Sequence, residues 1–262
     1  MSKQIWARDS AVACHDKSAD KFQRFYESDQ TPYDSGFSYG RHLISKYFSP
    51  VLNELPEGAA ILDVGCGTGN HLLELLRLGF QARGIEPSAQ MRRHAESKLP
   101  QGTVRPGTIL KLPFANETFD FVYAIEVLRY LDQDDNKVGL KEVFRVLKPG
   151  GIFFGTFVNQ YALDGFAIVV GLRKVLEILL KKPRTYHTEF ETPGKLAKTF
   201  HVIGFRELEI HGTMLAMLRI CYRVHHPFGG YCARLLEPYD AALSDTPFLR
   251  PLAGHLIGIA RK

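Results

Sequence analysis

Several whole classes of protein are excluded by what the chain lacks. Its four cysteines, Cys14, Cys66, Cys221 and Cys232, make no C-x-x-C pair and no spaced framework, which excludes a disulfide-stapled fold and points to a reducing compartment. Met1 to Asp20 has no apolar run of the kind that forms a signal peptide, so a cytoplasmic location is expected. The most apolar stretch, Phe166 to Leu180, is interrupted by Arg173, Lys174 and Glu177 and is too charged for a transmembrane span. Basic residues are scattered rather than gathered in blocks. The net charge of +5 permits an anionic substrate or a membrane surface without requiring either. There is no internal repeat and no low-complexity segment. With 262 residues and 45% hydrophobic content, the chain can furnish the core of one large α/β domain with elaborations.

The most informative segment runs from Ile61 to Asn70, Ile-Leu-Asp-Val-Gly-Cys-Gly-Thr-Gly-Asn. Ile61, Leu62 and Val64 read as a strand buried on both faces, and His71 to Leu78 as an apolar helix that stops at Gly79. Gly65, Gly67 and Gly69 therefore occupy the turn between them. Glycine there permits positive φ and close approach of a ligand, while free N–H groups at the helix start favour a negatively charged ligand group. The dinucleotide-binding turn uses the same physics, but here the spacing is G-x-G-x-G and Asp63 stands two residues before the first glycine. A carboxylate at that place repels a pyrophosphate and suits an ammonium group. The next strand, Gln81 to Glu86, ends in an acid that can accept two hydrogen bonds from a ribose diol, followed by Pro87.

With Leu112-Pro113-Phe114, Thr118-Phe119-Asp120-Phe121-Val122 and the Val-Leu-Lys-Pro-Gly-Gly ending of Leu140 to Gly151, the chain resembles a class I S-adenosylmethionine-dependent methyltransferase of the small-molecule type over roughly residues 58 to 158. The resemblance implies S-adenosylmethionine as cofactor and S-adenosylhomocysteine as product. It implies that Asp63, Gly65, Cys66, Gly67 and Gly69 hold the methionine end, that Glu86 holds the ribose, and that Pro87 and Met91 line the adenine side. Where the family often has an aspartate after a glycine, Thr108 follows Gly107 here, so the adenine contact falls to Thr108 and the backbone of Ile109. Backbone groups near Ile125 would face the methionine end. Cys66 itself reads as a small buried residue rather than a nucleophile.

The implied fold class is α/β, a Rossmann-like, doubly wound, mainly parallel seven-stranded sheet with an antiparallel last strand and helical cap insertions. The expected strands are Ala60 to Val64, Gln81 to Glu86, Thr103 to Thr108, Phe119 to Ile125, Ile152 to Val158, Phe205 to Ile210 and His255 to Ala260. Within one overall domain, four regions follow. Residues 1–57 form a helical cap with helices around Ser18 to Glu27 and Tyr39 to Leu52, and with Tyr33, Tyr39 and Arg41 as candidate lid contacts. Residues 58–158 form the cofactor-binding core. Residues 159–204 form a helical acceptor-side insertion, in which Thr192 and Pro193 start a helix that ends before Gly204. Residues 205–262 carry the last strands with a helical insertion, its apolar helix running over Met214 to Tyr222, then a turn at His225 to Gly230, then a helix near Tyr231 to Leu243. The helix over Phe166 to Leu180 could pack on the core, wall the acceptor pocket, or lie at a membrane surface with Lys181 and Lys182 near the headgroups.

The expected reaction is methyl transfer to a small-molecule acceptor with a hydrophobic part, the acceptor atom (O, N or C) being open. The chain lacks the Asn- or Asp-Pro-Pro-aromatic motif after the fourth strand, where Ala124-Ile125-Glu126-Val127 stands, and lacks a Pro-Cys pair, which disfavours nucleic acid. No catalytic residue is assigned. His187, His211, His225, His226 and Tyr33 are candidates for a base, and the adjacent His225 and His226 make no metal site, so no metal is expected. A noncatalytic relative that keeps the cofactor turn, or a nicotinamide-dependent oxidoreductase, are the alternatives. Oligomeric state and peripheral membrane contact are left open.

Overall fold

Ile61, Leu62 and Val64 are fully buried, as are Phe121, Val122, Tyr123 and Ala124 beside them. Strands apolar on both sides of the pleat need helices on both faces. The computed structural model describes residues 3–180 and 187–262. Seven strands form one sheet, β1 (Ala60–Val64), β2 (Gln81–Ile85), β3 (Val104–Arg105), β4 (Phe119–Ala124), β5 (Leu147–Val158), β6 (Glu207–Thr213) and β7 (His255–Arg261), in the order β3-β2-β1-β4-β5-β7-β6. β7 runs antiparallel to β5 and β6, while β1 to β5 pair in parallel. The strand order reverses between β1 and β4, which opens a crevice beyond their carboxyl ends.

The helices are α1 (Lys3–Ser28), α2 (Gly36–Glu54), α3 (Asn70–Arg77), α4 (Ala89–Glu96), α5 (Gln133–Val146), α6 (Phe166–Leu179), α7 (Pro193–Ile203), α8 (Leu218–Val224) and α9 (His226–Ser244). Neighbouring strand residues point to opposite faces. Leu62, Val122 and Phe153 therefore pack with Leu140, Val143, Leu196 and Phe200 of α5 and α7. Ile61, Phe121 and Phe154 pack with Phe48, Leu72, Leu75 and Ala95 of α2, α3 and α4. A third cluster, built on Tyr39, Leu43, Met214, Leu218 and Tyr222, ties α2 to the insertion between β6 and β7. Polar contacts fasten α1 over α4: Ser88 Oγ and Gln90 N donate to Asp16, and His94 meets Asp20 at 2.9 Å.

The mainly parallel seven-stranded sheet, the antiparallel β7 and the cap of α7 match the sequence expectation, Thr192 Oγ1 accepting from Lys195 N. Other elements differ for physical reasons. β3 has two residues rather than the six of Thr103 to Thr108, because Pro106 has no N–H to continue the ladder. The first helix extends back to Lys3. Met214 adopts φ 64°, which keeps the apolar run from Met214 out of a helix until Leu218. The expected turn at His225 to Gly230 is the first turn of α9, with His225 as N-cap and Pro227 at a position where a missing N–H costs nothing. Its two glycines serve close packing: a Cβ on Gly229 would lie 2.6 Å from the Tyr222 ring, and one on Gly230 would lie 2.6 Å from the Tyr33 carbonyl oxygen. Lys181 and Lys182 lie outside the described residues. Among the described residues, no helix is long and apolar enough to cross a membrane.

Candidate active site

β1 ends at Val64, and the chain turns at once, the Gly65 and Cys66 amides donating to the Ile85 carbonyl at 2.8 and 3.0 Å. The three glycines of the turn do different things. Gly65 has φ 76°, and a Cβ there would meet a Val127 methyl at 2.5 Å. Gly67 has φ 54° and nothing within 4 Å of a Cβ, so it faces open space. Gly69, φ 77°, caps α3 and presses against Leu99 and Ala95, which a Cβ would meet at 2.8 and 2.9 Å. Alanine substitutions are therefore expected to separate two effects. Gly69→Ala lowers stability by about 1–3 kcal/mol through overpacking, measured by denaturant unfolding. Gly67→Ala pays mainly the smaller left-handed backbone strain and chiefly weakens binding of S-adenosylhomocysteine, because its methyl would stand in the cavity.

That cavity has a volume of about 430 Å³, within the range of ~300–1,000 Å³ usual for ligand sites. Asp63, Gly65, Cys66, Gly67, Glu86, Pro87, Met91, Thr108, Ile109 and Ile125 all line it; Gly69 does not. Of the cap residues expected as lid contacts, Arg41 lines it, whereas Tyr33 bonds to Glu237 and Tyr39 is buried in the third cluster. The histidines singled out in the sequence lie elsewhere. His187 pairs with Glu189, His211 pairs with Asp245, His225 caps α9, and His226 is exposed. The histidines lining the cavity are His15, His71 and His255.

Burial pushes the Asp63 carboxyl up to about 7, against a hydrogen bond from Tyr123 and with Glu86 adding repulsion. The Tyr123 hydroxyl is in turn raised, chiefly by burial and then by Asp63 beside it. Burial also raises Glu86, whose two oxygens accept from Gly67 N and Ser88 N at 2.9 and 2.8 Å and keep further lone pairs. Burial beside Asp63 and Glu86 raises the Cys66 thiol, so it stays protonated and unreactive. Arg41 lines the same cavity, its guanidinium 4.2 Å from the Tyr26 ring centroid and its Nε buried without a hydrogen-bond partner. Burial and Arg41 push His71 down to about 4, which keeps it neutral.

A second polar group lines the same cavity. Glu126 follows β4 with φ 60°, held by its N–H to Thr156 Oγ1 at 2.8 Å. Against the cost of desolvation, its partly buried carboxyl is held down at about 2 by His255, Arg129 and Arg219. His255 Nδ1 lies 3.5 Å from Glu126, and its Nε2 accepts from Arg219 at 2.6 Å. Burial lowers His255 to about 4, consistent with a neutral ring that accepts from the guanidinium. Asp164 anchors Arg219 at 2.5 Å. Sequence reasoning had no signal for Arg219 or His255, which lie in the last insertion and at the start of β7. Nor had it one for His15, Phe22 and Tyr26 of α1.

An amino-acid-bearing cofactor fits these groups. A zwitterionic end can meet Asp63 with its ammonium side and the Arg41 Nε, buried without a hydrogen-bond partner, with its carboxylate, both residues lining the same cavity as Gly67. A family model described as a methyltransferase domain matches residues 62–155. A ubiquinone biosynthesis O-methyltransferase of Methylobacterium sp. (strain 4-46) is 31% identical over 188 residues, 69% of each chain. One from Methylocella silvestris is 31% identical over 205 residues, 72% of this chain and 77% of its own. Among solved structures, a methyltransferase from Thermotoga maritima, described as a possible histamine N-methyltransferase, aligns with a TM-score of 0.57 at 20% identity over 95% of this chain and 99% of that one. Phosphoethanolamine N-methyltransferase 2 of Haemonchus contortus reaches 0.59 at 15% identity over 94% of this chain and 57% of that one. At such identities the structural likeness speaks for the fold, and the sequence relatives carry the rest. The chain belongs to the class I S-adenosylmethionine-dependent methyltransferases.

Proposed function

We propose that the enzyme transfers the methyl group to an acidic hydroxyl on a small acceptor with a hydrophobic body. The observation that carries this is the composition of this cavity: beside the cofactor-facing residues it is walled by Phe22, Phe37 and Met214 and carries the Arg219–His255–Glu126 group. The named function of the O-methyltransferase relatives supports the choice of oxygen.

In this reading Asp63 accepts from the ammonium group, Arg41 binds the carboxylate, and the backbone of Gly65, Cys66, Gly67 and Ile125 surrounds the methionine end. Glu86 accepts from the ribose diol. Pro87 and Met91 flank the adenine, which Thr108 and the Ile109 backbone contact. The bound cofactor supplies the electrophilic sulfonium methyl. The chain supplies alignment, an effect worth ~7–11 kcal/mol in favourable intramolecular cases. With His255 at about 4 and Glu126 at about 2, neither is a strong base at neutral pH. The acceptor must therefore ionise readily by itself, and Arg219 stabilises the oxyanion where it forms. A phenol meets that requirement better than an alkyl alcohol. Incubation with labelled cofactor and a panel of apolar-substituted phenols, aliphatic alcohols, amines and sugars tests this. Label transferred to phenols supports the proposal, and label transferred only to sugars or amines contradicts it.

A further inference from the structure

α9 is turned inside out relative to a helix on a water-facing surface. Its buried positions are Gly229, Gly230, Ala233, Glu237, Asp240 and Ser244. Its exposed positions include Phe228, Tyr231, Leu235, Tyr239 and Leu243, at 52, 67, 58, 67 and 46% exposure. Steps of three, four, four and four residues place these five on a single stripe. The polar inner face is tied into the fold: Glu237 accepts from Tyr33, His42 and Lys46, one oxygen of Asp240 accepts from Ala216 N, and Ser244 donates to the Gly212 carbonyl. Among the described residues, nothing buries the outer stripe.

Charge narrows what covers it. From Arg223 to Ser244 the exposed ionic side chains are Arg223 and Arg234, with His225 and His226 also exposed, while both carboxylates of the segment point inward. Asp34, in the loop between α1 and α2, stands near Arg234 and offsets it in part. A second copy related by a two-fold axis would bring like charges together across the face, whereas an anionic surface is matched by them. Tyrosine and phenylalanine beside arginine are also the side chains that suit a headgroup layer. α6 repeats the character, with Leu172, Ile178 and Leu179 exposed at 60, 74 and 71%, and it is too short to cross a membrane. We propose that the outer face of α9 seats the enzyme on an anionic lipid surface, Phe228, Tyr231, Leu235 and Tyr239 entering the headgroup layer and Arg223 and Arg234 meeting lipid phosphates. This is independent of which acceptor is methylated.

Co-sedimentation of the full chain with vesicles tests it, using phosphatidylcholine alone and phosphatidylcholine with about 30% phosphatidylglycerol. The expected result is binding to the anionic vesicles about tenfold or more tighter than to the neutral ones, weakened by salt. The double variant Leu235→Glu/Tyr239→Glu loses at least about tenfold of that binding, while its S-adenosylhomocysteine affinity and unfolding temperature stay at the wild-type values. No vesicle binding by the wild type overturns the proposal, as does binding undiminished in a double variant that still folds. Concentration-dependent self-association abolished by the double variant, without vesicle binding, would assign the face to a second copy and also overturn it.

Discussion

Replacing Asp63 by asparagine is expected to weaken S-adenosylhomocysteine binding by ~2–5 kcal/mol, roughly 30-fold to several-thousand-fold, while making the free protein harder to unfold above neutral pH. Both effects come from one buried carboxylate. It is 4% exposed and pushed from 3.8 to about 7, chiefly by burial. A carboxyl raised in this way contributes stability that is fully present below its unfolded value near 3.8 and is lost as pH rises through about 7. Asparagine has no proton to lose, so the variant keeps that contribution. Thermal unfolding at about pH 8 should favour the variant by about 3 °C or more, and the difference should close near pH 4. The binding loss has the opposite sign because an ammonium group needs the ionised carboxylate that the empty fold disfavours. A variant that loses affinity and stability together would mean that Asp63 is structural only.

Replacing Arg219 by glutamine is expected to lower turnover on a phenolic acceptor ~10²–10³-fold, with little change in S-adenosylhomocysteine affinity. The pH at which turnover reaches half its maximum should rise, since the acceptor would then have to ionise without the guanidinium. Arg219 also neutralises Asp164, which is fully buried, so the glutamine variant should lose stability as well. Arg219→Lys separates the two roles. An ammonium can still neutralise Asp164 but cannot reach His255 and the acceptor through one planar fork, so stability should recover more than turnover does. Full turnover in either variant would remove Arg219 from the acceptor site.

The parts of this enzyme that sequence reveals are those written locally. β1, the glycine turn, α3 and the acid at the end of β2 lie within Ala60 to Arg77 and Gln81 to Glu86, where strand pattern, glycine spacing and one carboxylate report on one another. The cap at Thr192 and Pro193 is equally local. What stayed hidden depends on residues far apart in the chain. Arg219 and His255 gain meaning only when α8 and β7 meet Glu126, and His15 only when α1 lies against Tyr130, their rings 5.0 Å apart. Gly229 and Gly230 mislead because glycine serves turns and close helix packing alike, and only the position of Tyr222 and Tyr33 tells the two apart. In the turn itself, Gly69 matches the pattern but serves helix packing rather than the cavity.

Asp63 is expected to ionise as an amino-acid-bearing cofactor binds. Calorimetric titration of the wild type with S-adenosylhomocysteine between about pH 6 and 8, in buffers of different ionisation heat and with NADH as control, measures it. The predicted result is saturable S-adenosylhomocysteine binding that is about tenfold weaker near pH 6 than near pH 8 and releases a proton at the lower pH, with NADH binding far more weakly. Affinity independent of pH with no proton release, or a preference for NADH, would contradict it.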